Sequence, residues 1–314
     1  MRPPRGAPRT RKRPQTVGAV FSGPNTLKMA LAAALEPEAV WATAPVLARF
    51  APAARGALND RSERRDGRRH GEPSNRPRRG TNDRAPAKGR TGASGQDGDD
   101  AALRACLTRV KTPSTSAELA ARIGHEQHQG LVFQLSALPE LSFEALGAGQ
   151  APCLVVALDQ IQDPHNLGAI ARSAWAFGAD ALLVTRDHQA PLSDTAMRAS
   201  AGALLRLPVV EVTNLAQSLV ALKDRDFWAL GLSAQGQPLR AAEKLRSASR
   251  RVLVVGNEGQ GLRPLTAARV DMSIALPMVR PIDSLNASVA AACALFWLAD
   301  TREADAALHQ TSAR

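Results

Sequence analysis

The stretch CLVVALDQIQDPHNLGAIARSAWAFGADALLVT, residues 153–185, indicates the fold more clearly than any other part of the chain. It begins with the apolar run 153–158 and ends with a second one, 181–185, each of the length of a strand. A polar loop and a helix, predicted from about Leu167 to Phe177, separate them. Because both runs are apolar throughout, we expect parallel strands that are buried on both faces.

The same alternation continues toward the C-terminus without any internal repeat. It predicts an α/β domain, residues 136–305, in which helices cover both faces of a parallel sheet. Its further strands are predicted at 207–212, 227–233, 251–256 and 272–277, and its further helices at 214–224 and 287–298.

The N-terminal part has the pattern of a second, smaller domain, residues 18–135. Helical periodicity surrounds a short strand, 39–43, and a further strand is predicted at 130–136, after two helices at about 101–110 and 116–124. Arg, Gly, Asp and Pro dominate the segment 52–99, which has almost no large apolar residue to bury. We therefore expect a disordered insert there, as well as disordered tails at 1–17 and 306–314.

Charge and cysteine content restrict the partners. The chain has a formal net charge of +11, with six basic and no acidic residues in 1–15 and eleven basic and four acidic residues in 61–90. Such segments attract a polyanion, RNA above all, without reading its sequence; a solubilising tail is the alternative.

The three cysteines lack CxxC or metal-ligand spacing, which predicts that the protein binds no metal and is cytoplasmic. Cys153 and Cys293 are predicted core residues. No apolar run is long enough for a membrane span.

Two polar segments follow predicted strands, where open α/β sheets bind ligands. In the first, Asn166 and Arg172 face this edge; alternatively, Asn166 is an N-cap and Arg172 a solvated surface residue. The second, VLVVGNEGQGL (252–262), places Glu258 among three glycines. Their order is not the dinucleotide-binding GxGxxG, and an ordinary strand-to-helix turn is the alternative.

A third polar segment precedes the last helix, which is apolar throughout (287–298). Ser284 or Asp283 alone would cap that helix, so Asn286 is surplus to capping. We expect Ser284 and Asn286 to face a pocket; a double cap on a core helix is the alternative.

These three segments, in this order, resemble the motifs of the SpoU/TrmH family of RNA ribose 2′-O-methyltransferases, in the SPOUT superfamily. The matching residues are Asp159, Pro164, Asn166, Gly168, Ile170, Arg172, Ser173 and Ala174, then Gly256, Glu258 and Gly261, then Pro277, Met278 and Ser284 to Ala290. The resemblance covers about residues 150–300. The N-terminal part is similar to the family's small substrate-binding domain, which is like ribosomal protein L30e.

The resemblance implies a C-terminal deep trefoil knot, S-adenosylmethionine as methyl donor and a homodimer. It also implies an RNA substrate, with rRNA favoured and tRNA as the second choice. The cofactor contacts fall on Gly256, Leu276 and Leu285. The functional residues fall on Asn166, Arg172, Glu258, Ser284 and Asn286, of which Glu258 orients either Arg172 or the knot loop.

One position departs from the family. Arg280 stands where the family commonly has glycine, so this side chain either reaches RNA phosphate or narrows the cofactor pocket. With the long insert, this departure keeps open a non-catalytic RNA-binding module or assembly factor. An NAD-dependent Rossmann enzyme fits the strand–helix alternation but lacks the fingerprint glycines. Which RNA and which nucleotide is methylated does not follow from the sequence.

Overall fold

The computed structural model describes residues 19–51, 93–149, 152–280, 282 and 284–299. The two predicted tails, most of the predicted insert, Pro281 and Asp283 lie outside the described residues. Within the described part, one unit is formed by Ser22–Ala32 and Ala39–Phe133 and the other mainly by the chain from Gln134 onward.

The described residues of the N-terminal part form three strands and four helices. In chain order the elements are β1 (Ala19–Ser22), α1 (Pro24–Ala32), β2 (Ala39–Ala42), α2 (Ala44–Phe50), α3 (Ala93–Leu107), α4 (Ser116–Ile123) and β3 (Leu131–Leu135). The strands form one sheet of order β1-β3-β2. Local sequence determines both ends of α4: Thr115 and Glu118 form a capping box at its start, and Gly124, with a φ of 87°, terminates it.

The predicted C-terminal boundary of the disordered insert is wrong. The backbone of 93–99, expected to be disordered, forms the first turns of α3, which runs from Ala93 to Leu107. The apolar part of α3 is anchored by the buried Leu103 and Leu107. Once those turns are formed, each further residue adds one backbone hydrogen bond, so the helix extends into polar sequence.

The larger unit contains six strands, which are parallel in every pair that the structure describes. In chain order the elements are β4 (Cys153–Asp159), α5 (Pro164–Ala176), β5 (Ala181–Thr185), α6 (Asp194–Ala199), β6 (Val209–Val212), α7 (Leu215–Lys223), β7 (Trp228–Pro238), α8 (Glu243–Arg246), β8 (Arg250–Gly256), α9 (Pro264–Ala267), β9 (Met272–Ala275) and α10 (Ala287–Leu298). The sheet order is β6-β5-β4-β8-β7-β9, which confirms the predicted parallel α/β architecture.

The central strand β4 is buried along its whole length. Its residues Val155 and Ala157 pack in one core cluster with Leu215 and Leu219 of α7. The alternate residues of β4 face the other side of the sheet, where α10 contacts both α5 and β8. Helices therefore cover both faces, as the uninterrupted apolar strands predict.

The strand order brings the polar segments together. β4 and β8 are neighbours in register, with Asp159 opposite Gly256, so their following loops lie at the same edge. β9 lies at the edge of the sheet beside β7, whereas α10 contacts α5 and β8. The segment 276–286 therefore carries the chain back from the sheet edge to its middle. Among the helices described, none is long and apolar enough to cross a membrane.

Candidate active site

One residue from each polar segment meets in a hydrogen-bonded cluster. The Asn286 Nδ2 donates to Glu258 Oε1 at 2.6 Å and to Asn166 Oδ1 at 3.0 Å. The Asn166 Nδ2 also donates to Glu258 Oε1. These residues lie far apart along the chain, so the parallel sheet and the returning segment 276–286 create the cluster.

The structure corrects the predicted capping of the last helix. Asn286, not Ser284 or Asp283, is the N-cap: its Oδ1 accepts from the backbone N–H groups of Ser288 at 2.9 Å and Val289 at 3.3 Å. Because the amide oxygen is used by the helix, the amide nitrogen faces Glu258 and Asn166. Asn286 therefore serves both as cap and as cluster member, which the sequence reasoning treated as alternatives.

The helix α5 begins earlier than predicted and places Asn166 in its first turn. Asp163 caps the helix by accepting from His165 N at 2.9 Å, so Asn166 is not the N-cap. A Cβ at Gly168 would lie 2.3 Å from the carbonyl oxygen of Ala196, so glycine is required for α6 to approach α5. Asn166 is almost fully buried at the cluster.

Arg172 lies outside the cluster. It is exposed on α5, and Glu258 bonds to the two asparagines rather than to it. The two predicted residues of α5 are six positions apart, which at 3.6 residues per turn places them on different sides of the helix. The alternative that Glu258 orients Arg172 therefore receives no support among the described residues.

A cavity of about 440 Å³ adjoins the cluster at Glu258. All three predicted cofactor residues line it, together with the predicted Ser284. Its described lining residues are Leu232 to Gln235, Val255 to Leu262, Ala267, Ser273, Ile274, Leu276, Met278, Ser284, Leu285, Ala287 and Ala290. The departure at Arg280 does not narrow this space, because that side chain is exposed and is not part of the described lining.

The cavity is lined by apolar and polar groups in similar proportion, and the one charged side chain in its described lining is the carboxylate of Glu258. Such a lining accommodates a small organic ligand, and the Glu258 carboxylate favours a positively charged group within it. Among the described residues, no group of three or more His, Cys, Asp or Glu side chains is placed to hold a metal ion.

The glycine loop forms one wall by folding tightly on itself. Asn257 N donates to Gly261 O at 3.0 Å, and Gly261 N donates to Asn257 O at 2.8 Å. A Cβ at Gly256 would lie 2.3 Å from the carbonyl carbon of Gly261, so only glycine permits this closure.

Sequence reasoning missed another part of the lining, Ser233 to Gln235. Both Leu232 and Gln237 lie opposite Ile274, so the residues between them bulge out of β7 toward the cavity. The residue that could have indicated this bulge from the sequence is Gly236, where a Cβ would lie 2.5 Å from the Ile274 backbone.

An ion pair between a buried carboxylate and a partly exposed arginine at the same edge was also missed. Asp159 has no exposed surface, and its oxygens accept from Arg263 N at 2.9 Å and from Arg263 Nε at 2.6 Å. The pair joins the end of β4 to the residue that follows the glycine loop.

The cysteines differ from one another. Burial raises the pKa of the Cys153 thiol to about 11, so it stays protonated near neutral pH and is unsuited to nucleophilic catalysis. Cys293, predicted to be a core residue, is exposed on α10. The uniformly apolar sequence of α10 gave no indication of which side faces outward.

Fold and site together define an α/β protein with a ligand cavity and a polar cluster at the carboxyl edge of a parallel sheet. The sequence profile of the SpoU rRNA Methylase family matches residues 153–296. A 23S rRNA (guanosine-2′-O-)-methyltransferase of Xanthomonas campestris is 41% identical over 177 residues, which cover 55% of this chain and 70% of that protein. The chain belongs to the SpoU methylase family.

Other relatives agree with this assignment. An uncharacterized tRNA/rRNA methyltransferase of Mycolicibacterium paratuberculosis is 41% identical over 183 residues, which span 57% of this chain but only 58% of the relative. The SpoU methyltransferase AviRb of Streptomyces viridochromogenes has the same fold, with a TM-score of 0.60, 19% identity and coverage of 91% and 90% of the two chains. An rRNA methyltransferase of Sinorhizobium meliloti has a TM-score of 0.61 at 18% identity, covering 90% and 87%.

Proposed function

We propose that the protein is an S-adenosylmethionine-dependent methyltransferase that methylates a ribose 2′-hydroxyl of RNA, in rRNA or alternatively in tRNA, in the cytoplasm. The observation that carries the proposal is the meeting of Asn166, Glu258 and Asn286 beside the cavity. Family membership and the similarity to the 23S rRNA (guanosine-2′-O-)-methyltransferase of Xanthomonas campestris support the same reaction.

The lining of the cavity, with apolar groups and one carboxylate, suits this cofactor. Gly256, Leu276 and Leu285 hold its uncharged parts, and the Glu258 carboxylate complements a positive sulfonium. Bound there, S-adenosylmethionine supplies an electrophilic methyl group. No metal is required, because a sulfonium already contains a good leaving group.

The protein's own task is to align the ribose hydroxyl and to assist its loss of a proton. Asn166 and Asn286 position the ribose, Ser284 lines the substrate side of the cavity, and Glu258 holds the two amides in place. A guanidinium is ordinarily a poor base. Arg172, which is exposed, therefore acts through an RNA phosphate that it orients and that accepts the proton.

The return of the chain from the sheet edge to its middle is consistent with a deep trefoil knot, which we include in the proposal. Segment 276–286 joins β9 at the edge to α10 against α5 and β8, and its residues share the cavity with the glycine loop. A knotted backbone would hold these two loops at a fixed separation.

For the N-terminal part we propose an RNA-binding domain like ribosomal protein L30e. Two arginines there lie over aromatic rings, Arg122 at 4.8 Å from the Trp41 centroid and Arg49 at 4.9 Å from that of Phe50. Arginine and aromatic planes are the groups on which unpaired RNA bases stack.

We further propose a homodimer through α10 and the adjoining end of α5. Val289, Cys293 and Phe296 form an exposed stripe along α10, and Trp175 of α5 is 44% exposed. Phe296 packs edge-on against Phe177, with ring centroids 5.9 Å apart, which joins the two helices. A partner subunit on this surface would lie close to Arg172, three residues before Trp175.

The proposal is tested with tritiated S-adenosylmethionine and unmodified rRNA and tRNA transcribed in vitro. We expect transfer of label to RNA, with the product mapped as a 2′-O-methyl ribose. The alternative is a non-catalytic RNA-binding module, and calorimetry with S-adenosylmethionine distinguishes the two. A protein that binds RNA but not the cofactor would be such a module and not an enzyme.

A further inference from the structure

In the Asp159–Arg263 pair, the carboxylate does not bond to the terminal amino groups of the arginine. The carboxylate accepts from the backbone N and from Nε of Arg263, so its bonds leave the terminal amino groups Nη1 and Nη2 free. No described residue accepts a hydrogen bond from either group. A guanidinium has five N–H donors, of which four are on these two nitrogens. The Arg263 side chain is also 40% exposed, whereas Asp159 is completely buried.

The pair lies at the same edge of the sheet as the cavity, the edge at which the proposed reaction would take place. Asp159 ends β4 beside Gly256, and Arg263 follows Leu262, which lines the cavity. Glu258 gives this edge a negative charge that repels RNA. The pair is neutral as a whole, but its exposed end is the positive one, and a guanidinium matches the geometry of phosphate oxygens.

We infer that Arg263 is a phosphate-binding residue for the RNA substrate and that Asp159 is the positioning residue that orients it. This inference rests on the function proposed above. The bond from Nε to a buried carboxylate fixes the plane of the guanidinium before RNA arrives. Less side-chain entropy is then lost on binding than for an unrestrained arginine.

The test must separate phosphate binding from a structural role, because Arg263→Gln alone leaves Asp159 buried without its counter-charge. The double variant Asp159→Asn/Arg263→Gln removes both charges. We expect the KM of this double variant for unmodified rRNA transcribed in vitro to be about tenfold higher than that of the wild-type protein. The slope of log binding constant against log salt should become shallower by about 0.7 to 0.9, which corresponds to the loss of one phosphate contact. Cofactor affinity should stay unchanged.

Arg269→Gln is the matched control, since Arg269 is an exposed arginine just after α9 whose side chain makes no described hydrogen bond. It should leave both the KM and the salt slope at wild-type values. A folded double variant with the wild-type KM and salt slope would overturn the inference. If the wild-type protein binds RNA but transfers no methyl group, the proposed reaction fails, and the salt slopes still decide whether Arg263 contacts phosphate.

Discussion

Asn286 and Glu258, separated by 28 residues in sequence, are joined by a hydrogen bond of 2.6 Å from Nδ2 to Oε1. The same asparagine caps α10 through its Oδ1. The position of this helix is thereby coupled to the position of the carboxylate that borders the cavity. A change in either residue should affect both the local stability and the proposed chemistry, and suitable substitutions can separate the two effects.

The first prediction concerns the two roles of Asn286. Asn286→Ser keeps a capping oxygen but removes the donor to Glu258, so stability should change little while the rate of methyl transfer to RNA falls at least tenfold. Asn286→Ala removes both functions and should in addition lower the free energy of unfolding by about 1 kcal/mol. Urea denaturation and the tritium assay measure the two quantities. A serine variant with wild-type activity would contradict a role for Nδ2 in the reaction.

The second prediction concerns the charge of Glu258. Glu258→Gln keeps the size and one acceptor oxygen but removes the negative charge. We expect the Kd for S-adenosylmethionine to rise about tenfold, and the Kd for S-adenosylhomocysteine, whose sulfur is uncharged, to rise much less. Calorimetry with both ligands gives the comparison. Equal weakening of the two would mean that Glu258 acts only by holding the asparagines.

The third prediction concerns the glycine loop. Gly256→Ala places a Cβ 2.3 Å from the Gly261 backbone, which forces the loop away from its position at the cavity. We expect a loss of stability of about 1–3 kcal/mol and at least tenfold weaker cofactor binding. Gly259→Ala is the control, because the nearest atom to its Cβ is 3.6 Å away, an ordinary contact. Similar effects of both substitutions would show that general loop flexibility, not this contact, matters.

Much of the larger unit was predictable because its strands are uninterrupted apolar runs. The run at 153–158 became β4 with one residue added, and 181–185 became β5 without change. Four short elements were missed, namely β1, α6, α8 and α9. β1 has only four residues and gains its stability from pairing with β3 in the folded chain, which no local pattern reveals.

The candidate site was predictable as a set of segments but not as a set of contacts. Its residues follow strands whose order cannot be inferred from periodicity, so the bond between Asn286 and Asn166, 120 residues apart, emerges only from the fold. The ion pair of Asp159 with Arg263 is non-local for the same reason. The β7 bulge depends on the register with β9, and a one-strand pattern contains no information on register.

The last prediction concerns the apolar stripe of α10. Because Phe296 is 61% exposed, a charge there costs little in an isolated subunit but strongly opposes burial against a second copy. Phe296→Glu should therefore give a folded monomer by light scattering, with methyl transfer reduced at least tenfold if the partner completes the site. Leu265→Glu is the matched control, since Leu265 is 72% exposed on α9, outside the stripe, and it should remain dimeric.

Cys293 provides a second readout of the same interface, because it is exposed in the single subunit and lies within the stripe. In the dimer its thiol should react slowly with a disulfide reagent, and dilution or Phe296→Glu should restore fast labelling. The buried Cys106 and Cys153 should stay unreactive in every folded sample, which makes them internal controls. Fast labelling of Cys293 in a sample that is dimeric by light scattering would place the dimer contact on another surface. A monomeric wild-type protein with full activity would remove the need for a partner at Arg172, and the proton step would then belong to one subunit alone.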